Sequence, residues 1–165
     1  MQPLEPTSPL GKLLAGPLNA GKLVWIGLRS QRKGQILTPL SANLIAGQGI
    51  DGDHFKTSRD GPRQVTLIER ENLDSIASYL RKPQVSPDLL RRNLVTSGMN
   101  LQALKDNRFR IGNVLLEYTG ECAPCGQMEV NLGPGGYNAV RGRGGITARI
   151  LEGGTIELQD SIERL

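Results

Sequence analysis

Hydrophobic positions along the chain fall in short runs broken by glycine and proline, and only one stretch repeats them clearly at helical spacing. Residues 22–28 (Lys-Leu-Val-Trp-Ile-Gly-Leu) are rich in β-formers and bounded by glycine, which predicts a strand. Residues 36–45 predict a second, weakened by Pro39, and residues 64–68 a short third. Residues 111–119 read as a good strand that runs into Gly120-Glu-Cys-Ala-Pro-Cys-Gly126. Residues 146–151 and 155–158 flank Gly153-Gly154, which fits a tight two-residue hairpin turn.

The helical spacing lies at Leu73, Ile76, Ala77 and Leu80, one apolar stripe at i, i+3, i+4 and i+7. Glu69 and Glu71 sit where the dipole of that helix favours acids, and Pro83 ends it. Ser86-Pro87-Asp88 offers an N-cap and a proline at the first helical position, predicting a short second helix with Leu89, Leu90 and Leu94 inward. The glycine-rich stretches 47–54, 133–136 and 142–145 are expected to be loops, and Trp25 and the helical stripe to be core. Residues 1–20, broken by Pro3, Pro6, Pro9 and Pro17, read as a loose arm, leaving 21–165 as one domain. The expected fold class is mainly β (α+β): a compact β-barrel-like domain with two or so inserted helices.

Composition agrees with this. The 165 residues hold 38% hydrophobic and 22% charged positions, and 21 glycines stand against one Trp, three Tyr and two Phe. Such a ratio favours a turn-rich β fold over a helical bundle. A net charge of +4 without any Lys/Arg block is modest for a nucleic-acid binder, and stacking aromatics are few. A non-enzymatic basic module therefore ranks last, while a small anionic ligand suits such scattered bases. Residues 1–21 have neither a signal peptide's charge pattern nor a membrane-spanning apolar core, so no membrane association is expected. Two cysteines without an export signal point to a reducing compartment and a cytoplasmic location.

The chemistry-bearing residues form two groups. Cys122 and Cys125 are the only thiols, and three readings compete: packing, a redox pair with thioredoxin-like spacing, or a thiolate that ligates a metal or carries sulfur. The redox reading needs a helix after the motif, and residues 126–133 show β-formers and no helical stripe. A four-coordinate zinc site lacks ligands, since His54 is the only histidine. A soft metal that brings its own organic ligand needs only one thiolate.

The second group is basic: Arg63, Arg91-Arg92 with Asn93, and Arg141, Arg143 and Arg149, whose planar guanidinium forks match phosphate oxygens. His54, flanked by Asp51 and Asp53, suits a ligand contact, a proton donor or a loop cap.

In this order, Gly49-Ile-Asp-Gly-Asp-His54, Arg63-Gln-Val-Thr-Leu-Ile68, Leu90-Arg-Arg-Asn-Leu94, Ile111-Gly-Asn-Val-Leu-Leu-Glu117, Cys122-Ala-Pro-Cys125 and Arg143-Gly-Gly-Ile146 resemble the MOSC domain. This module ends molybdenum cofactor sulfurases and also occurs as stand-alone bacterial proteins, and the resemblance spans roughly residues 20–162. It implies a β-barrel-like fold and a molybdopterin-type molybdenum cofactor, which a recombinant preparation can lack. It further implies that Cys125 ligates molybdenum or carries a persulfide. Arg92 and Asn93, with Arg63, Arg143 and Arg91, would meet the pterin and its phosphate, and His54 lies in a shared motif beside them.

Relatives resemble either reductases of N-hydroxylated small molecules such as hydroxylaminopurines or sulfur carriers for cofactor sulfuration. Set against the longer relatives, the chain is expected to lack a pyridoxal-phosphate desulfurase domain and a cysteine-rich ferredoxin-like domain. Electrons would then come from a partner reductase, or sulfur from a cysteine desulfurase.

Overall fold

Strand β1 (Gly21–Ile26) opens a barrel whose remaining staves come from both halves of the chain. The computed structural model describes residues 5–165; residues 1–4 of the expected arm lie outside the described residues. The following strands are β2 (Ser41–Ile45), β3 (Gly49–Ile50), β4 (Val65–Glu69), β5 (Leu94–Ser97), β6 (Arg108–Ile111), β7 (Val114–Glu121), β8 (Ile146–Glu152), β9 (Gly154–Glu157) and β10 (Ser161–Arg164). Seven of them close in the order β1-β10-β6-β7-β8-β4-β5, and β3-β2-β9 form a separate small sheet. The fold is therefore mainly β, a compact α+β barrel as expected.

Every barrel pair is antiparallel except β4 with β5. A parallel pair needs a crossover, and helix α2 (Arg70–Tyr79) supplies it. The crossover buries Leu73, Ile76 and Ala77 of the predicted stripe against the outer face of β4 and β5. Strand β4 is thus covered on both faces and buried at all five positions. The barrel interior is a second apolar cluster, including Leu23, Leu67, Phe109, Leu116, Ile146 and Ile162. Burying each large side chain contributes about 1.5–3 kcal/mol, so the two clusters dominate cohesion.

Several expectations are corrected. The second helix is only a 3-10 turn, Pro87–Leu90: Ser86 bonds the Asp88 carboxylate instead of capping, and Arg91 at φ 58 turns the chain away. Leu94 consequently belongs to β5. The single strand expected over 111–119 is a hairpin, β6–β7, with Gly112-Asn113 in the turn between paired Ile111 and Val114. The loop at 47–54 contains β3, because Gly49 and Ile50 are buried and pair with β2.

Gly153-Gly154 makes no hairpin: β9 leaves β8 and pairs with β2. A Cβ on Gly153 would lie 2.5 Å from the Leu44 carbonyl oxygen, so glycine here permits the close crossing of β2. The arm carries a short helix α1 (Pro9–Leu14), capped by Ser8 and tied to the barrel by Arg164, which donates to the Leu14 and Ala15 carbonyls. Among the described residues no helix is long and apolar enough to cross a membrane.

Candidate functional site

Strand β7 carries two register shifts, between Leu115 and Leu116 and between Tyr118 and Gly120, before it leaves the barrel. Bulges of this kind re-aim the chain at a barrel rim. Cys122 is pinned there: its N–H donates to the Gly145 carbonyl at 2.9 Å, and the residue is buried. Two glycines make this possible. A Cβ on Gly144 would collide with the Cys122 carbonyl, and one on Gly145 (φ +83) with the Leu67 carbonyl. The glycine-rich loop is wedged between β4 and the cysteine segment.

Cys125 is exposed and extended (φ −129, ψ 171), and it begins helix α3 (Gly126–Leu132) without spending its side chain on a cap. Residues 126–132 carry no helical stripe. The helix is only seven residues long, and its buried face is the single i, i+4 pair Met128 and Leu132, packed with α4 (Gly136–Val140). Val130 stays exposed, so a β-former is tolerated there. A helix does follow the two cysteines, but the thiol at its N-terminus is Cys125, while Cys122, the first of the pair and the one the redox reading needs there, is buried upstream.

Arg92 is the most constrained charge in the site. Its side chain is buried, and its guanidinium donates to three carbonyls: Gly144 at 2.7 Å, Leu90 at 2.6 Å and Cys122 at 3.3 Å. Burial pushes the guanidinium below its ordinary value; the Cys122 sulfur opposes this, Arg63 and Arg91 add to it, and Cys125 opposes it. No carboxylate forms an ion pair with Arg92, Arg63 or Arg91 among the described residues. Arg63 instead donates from Nη2 toward Cys122 Sγ at 3.7 Å. A buried cation without a counter-ion leaves an unbalanced positive field, which favours an anion in the adjoining space.

Asn93 spends its side chain on structure. Its Oδ1 accepts from both the N–H and the hydroxyl of Thr66 at 3.2 Å, and its Nδ2 lies 3.5 Å from the Gly27 carbonyl and from Asp53 Oδ2. Asp53 in turn accepts from the Arg29 N–H at 2.9 Å. His54 Nδ1 sits 3.2 Å from the Arg29 carbonyl and 3.7 Å from Asp53 Oδ1. A carbonyl can only accept, so Nδ1 carries a proton and Nε2 is the nitrogen left for other work.

These segments enclose one cavity of about 310 Å³. Cys125, Arg63, Arg91, Arg92, Asn93 and His54 all line it. Arg143 does not: it is exposed, with Nη1 3.4 Å from Asn72 Oδ1 at the start of α2. Sequence reasoning missed Arg29, Ile36, Phe55 and Gln64, which also line the cavity. Gln64 had a signal, being next to Arg63; it is buried, bonding Asp60, Gly61 and Ile150. Nothing local marks Arg29. Four arginines face the cavity against one carboxylate, Asp53.

The MOSC domain family model matches residues 51–163. The chain belongs to the MOSC domain family. Among solved structures, this MOSC chain is similar to the YuaD protein from Bacillus subtilis, with TM-score 0.76 and 22% identity over 90% of this chain and 97% of that one. It is also similar to YiiM from Escherichia coli, with TM-score 0.66 and 16% identity over 87% of this chain and 69% of that one. YiiM from Geobacillus stearothermophilus gives TM-score 0.61 and 13% identity over 88% and 75%. At these identities the likeness concerns the MOSC fold. No curated protein matches the chain.

Proposed function

We propose that this MOSC protein binds a molybdenum cofactor in the cavity and reduces N-hydroxylated small molecules with electrons from a partner protein. The observation that carries the reading is that the exposed Cys125 lines the same cavity as four arginines and a single acidic residue, Asp53. The donor set fits the group: one soft thiolate donor for the metal, and an excess of positive charge for a phosphate. No cluster of three or more His, Cys, Asp or Glu side chains capable of holding a metal exists among the described residues, so a metal held here would bring ligands of its own.

Cys125 would ligate the metal, and Arg63 and Arg91 would reach the phosphate. Arg92 has its donors committed to carbonyls and would act through its field. When bound, the cofactor would supply the two-electron chemistry that removes the hydroxyl oxygen as water. Reducing an N-hydroxyl group to an amine also consumes two protons, and His54 Nε2 is placed to take up and pass protons while Nδ1 stays fixed on the Arg29 carbonyl. Asp53 orients that ring from the buried side.

The test is reduction of an N-hydroxylated purine by protein made in a cofactor-competent host, using a chemical reductant in place of the partner. Activity in the parent that disappears in Cys125→Ser supports the reading; equal activity in both refutes it.

A second reading, sulfur transfer through a Cys125 persulfide, draws on the same exposed, uncapped sulfur. Incubation with a cysteine desulfurase followed by intact-mass analysis distinguishes it. One added sulfur on Cys125, without reductase activity, would favour transfer.

A further inference from the structure

A second cavity, of about 210 Å³, adjoins the cysteine segment. Cys122 lines it while Cys125 lines the first, and Ala123 borders both. Its wall includes Gly142, Gly144 and Gly145, and a glycine can offer a cavity only its backbone. Gly144 and Gly145 are buried, yet neither N–H donates to an acceptor among the described residues. Within the loop 142–145 only the Arg143 N–H is bonded, to the Val140 carbonyl at 2.8 Å. Buried backbone donors are almost always paired, with protein, ordered water or a ligand.

One of these donors is also strengthened from behind. The carbonyl of the Gly144–Gly145 peptide accepts from Arg92 Nε at 2.7 Å, and the same peptide carries the Gly145 N–H. A peptide whose oxygen sits on a guanidinium is polarised and donates more strongly from its nitrogen. Arg141, exposed at the same cavity, adds a second guanidinium. Its one side-chain hydrogen bond among the described residues is to Asn138 Oδ1 at 3.4 Å. The single carboxylate in the lining, Glu121, is exposed and forms no ion pair among the described residues. Water would satisfy the donors but leave both cations unbalanced, and the space exceeds one water's share of roughly 30 Å³.

We propose that the loop 142–145 and Arg141 form a second binding site, for a small oxyanion, separate from the cavity that Cys125 lines. Free backbone N–H groups in a glycine-rich turn make a concavity suited to anionic oxygens, and a planar guanidinium completes it.

The test follows the backbone amide signals of the isotope-labelled full chain by NMR. Inorganic phosphate, sulfate and acetate are titrated in turn, against chloride at matched ionic strength. At least one oxyanion should move the Gly144 and Gly145 amide protons downfield along a single saturating curve, as a new hydrogen bond requires. Arg141→Ala should weaken that binding about tenfold, and Arg91→Ala, on the first cavity, should leave it within about twofold. Glu121→Gln removes the opposing charge and should tighten it about twofold.

Amides at Gly144 and Gly145 that stay still, drift without saturating or move equally in chloride overturn the proposal, because the donors then hold only water. So does an affinity that survives Arg141→Ala, or one that falls with Arg91→Ala and so places the anion in the first cavity. Weaker binding in Glu121→Gln overturns it too, since that carboxylate would then be holding a cation. Molybdenum content in Arg141→Ala should match the parent's; a fall would give the loop to the cofactor and overturn a separate site.

Discussion

Arg92 and its neighbour Arg91 adjoin in sequence yet do different work. Arg92 satisfies three buried carbonyls at once, which needs a planar fork. Arg92→Lys keeps the charge and loses the fork, and is expected to cost roughly 2–4 kcal/mol in urea denaturation. Arg91 is exposed and forms no ion pair among the described residues, so Arg91→Ala should leave stability unchanged and lower molybdenum retention several-fold. Arg143→Ala should leave retention untouched, since Arg143 lies outside the cavity.

Glu69 supplies a pH test at the same scale. Burial is the main cause raising its carboxyl above the ordinary 4.5, opposed by hydrogen bonds that include the Leu101 N–H. The folded state therefore holds this proton more tightly than the unfolded one. Its stabilising contribution is full below pH 4.5 and is lost as pH rises through the raised folded value. Glu69→Gln should flatten that part of the stability–pH curve, measured by thermal melts from acid to neutral pH. Cys125, Arg63, Arg91, Arg92, Asn93 and His54 were legible from their residue types and from the ordered motifs of the MOSC resemblance, whereas Arg29, Ile36 and Phe55 carried no signal. Hydrogen bonds within the site were not legible: Asn93, which lines the cavity, also accepts from the N–H and the hydroxyl of Thr66 in β4.

Between elements, the wedge of Gly144-Gly145 decides whether the cysteine segment can close on β4. Gly145→Ala combines a positive φ with a collision against the Leu67 carbonyl, and is expected to destabilise by on the order of 3 kcal/mol or more. Gly126→Ala, where an added Cβ meets nothing within 4 Å, should stay within about 0.5 kcal/mol of the parent. Comparing the two by urea denaturation isolates the close approach from glycine content.

Segments with a clear apolar stripe or a run of β-formers were readable: the stripe of α2 and the strands at β1, β4 and β8 stand where their patterns put them. Short elements were not. Helix α3 shows one buried pair, too little for a period, and β9 follows a glycine pair that looks like a hairpin while its partner lies far back in the chain at β2. Pairing partners are set by the closed barrel and the adjoining sheet, which local propensity does not encode.

The whole molecule brings together four distant stretches, around residues 29–36, 53–66, 90–93 and 123–128, at one cavity beside the barrel. Their convergence follows from the β4–α2–β5 crossover and the exit of β7, and no single stretch announces it. The ordered motifs of the MOSC resemblance were the one whole-chain signal in the sequence, and the family match over residues 51–163 agrees with it. One protein thiolate, Cys125, backed by a positive cavity, is proposed to hold the metal.

Molybdenum per protein chain, measured by mass spectrometry of the metal after production in a cofactor-competent host, decides between the two outcomes. The parent should approach one molybdenum per chain, with Cys125→Ala falling to background while its thermal midpoint is unchanged. A folded Cys125→Ala protein that keeps the parent's molybdenum would contradict it.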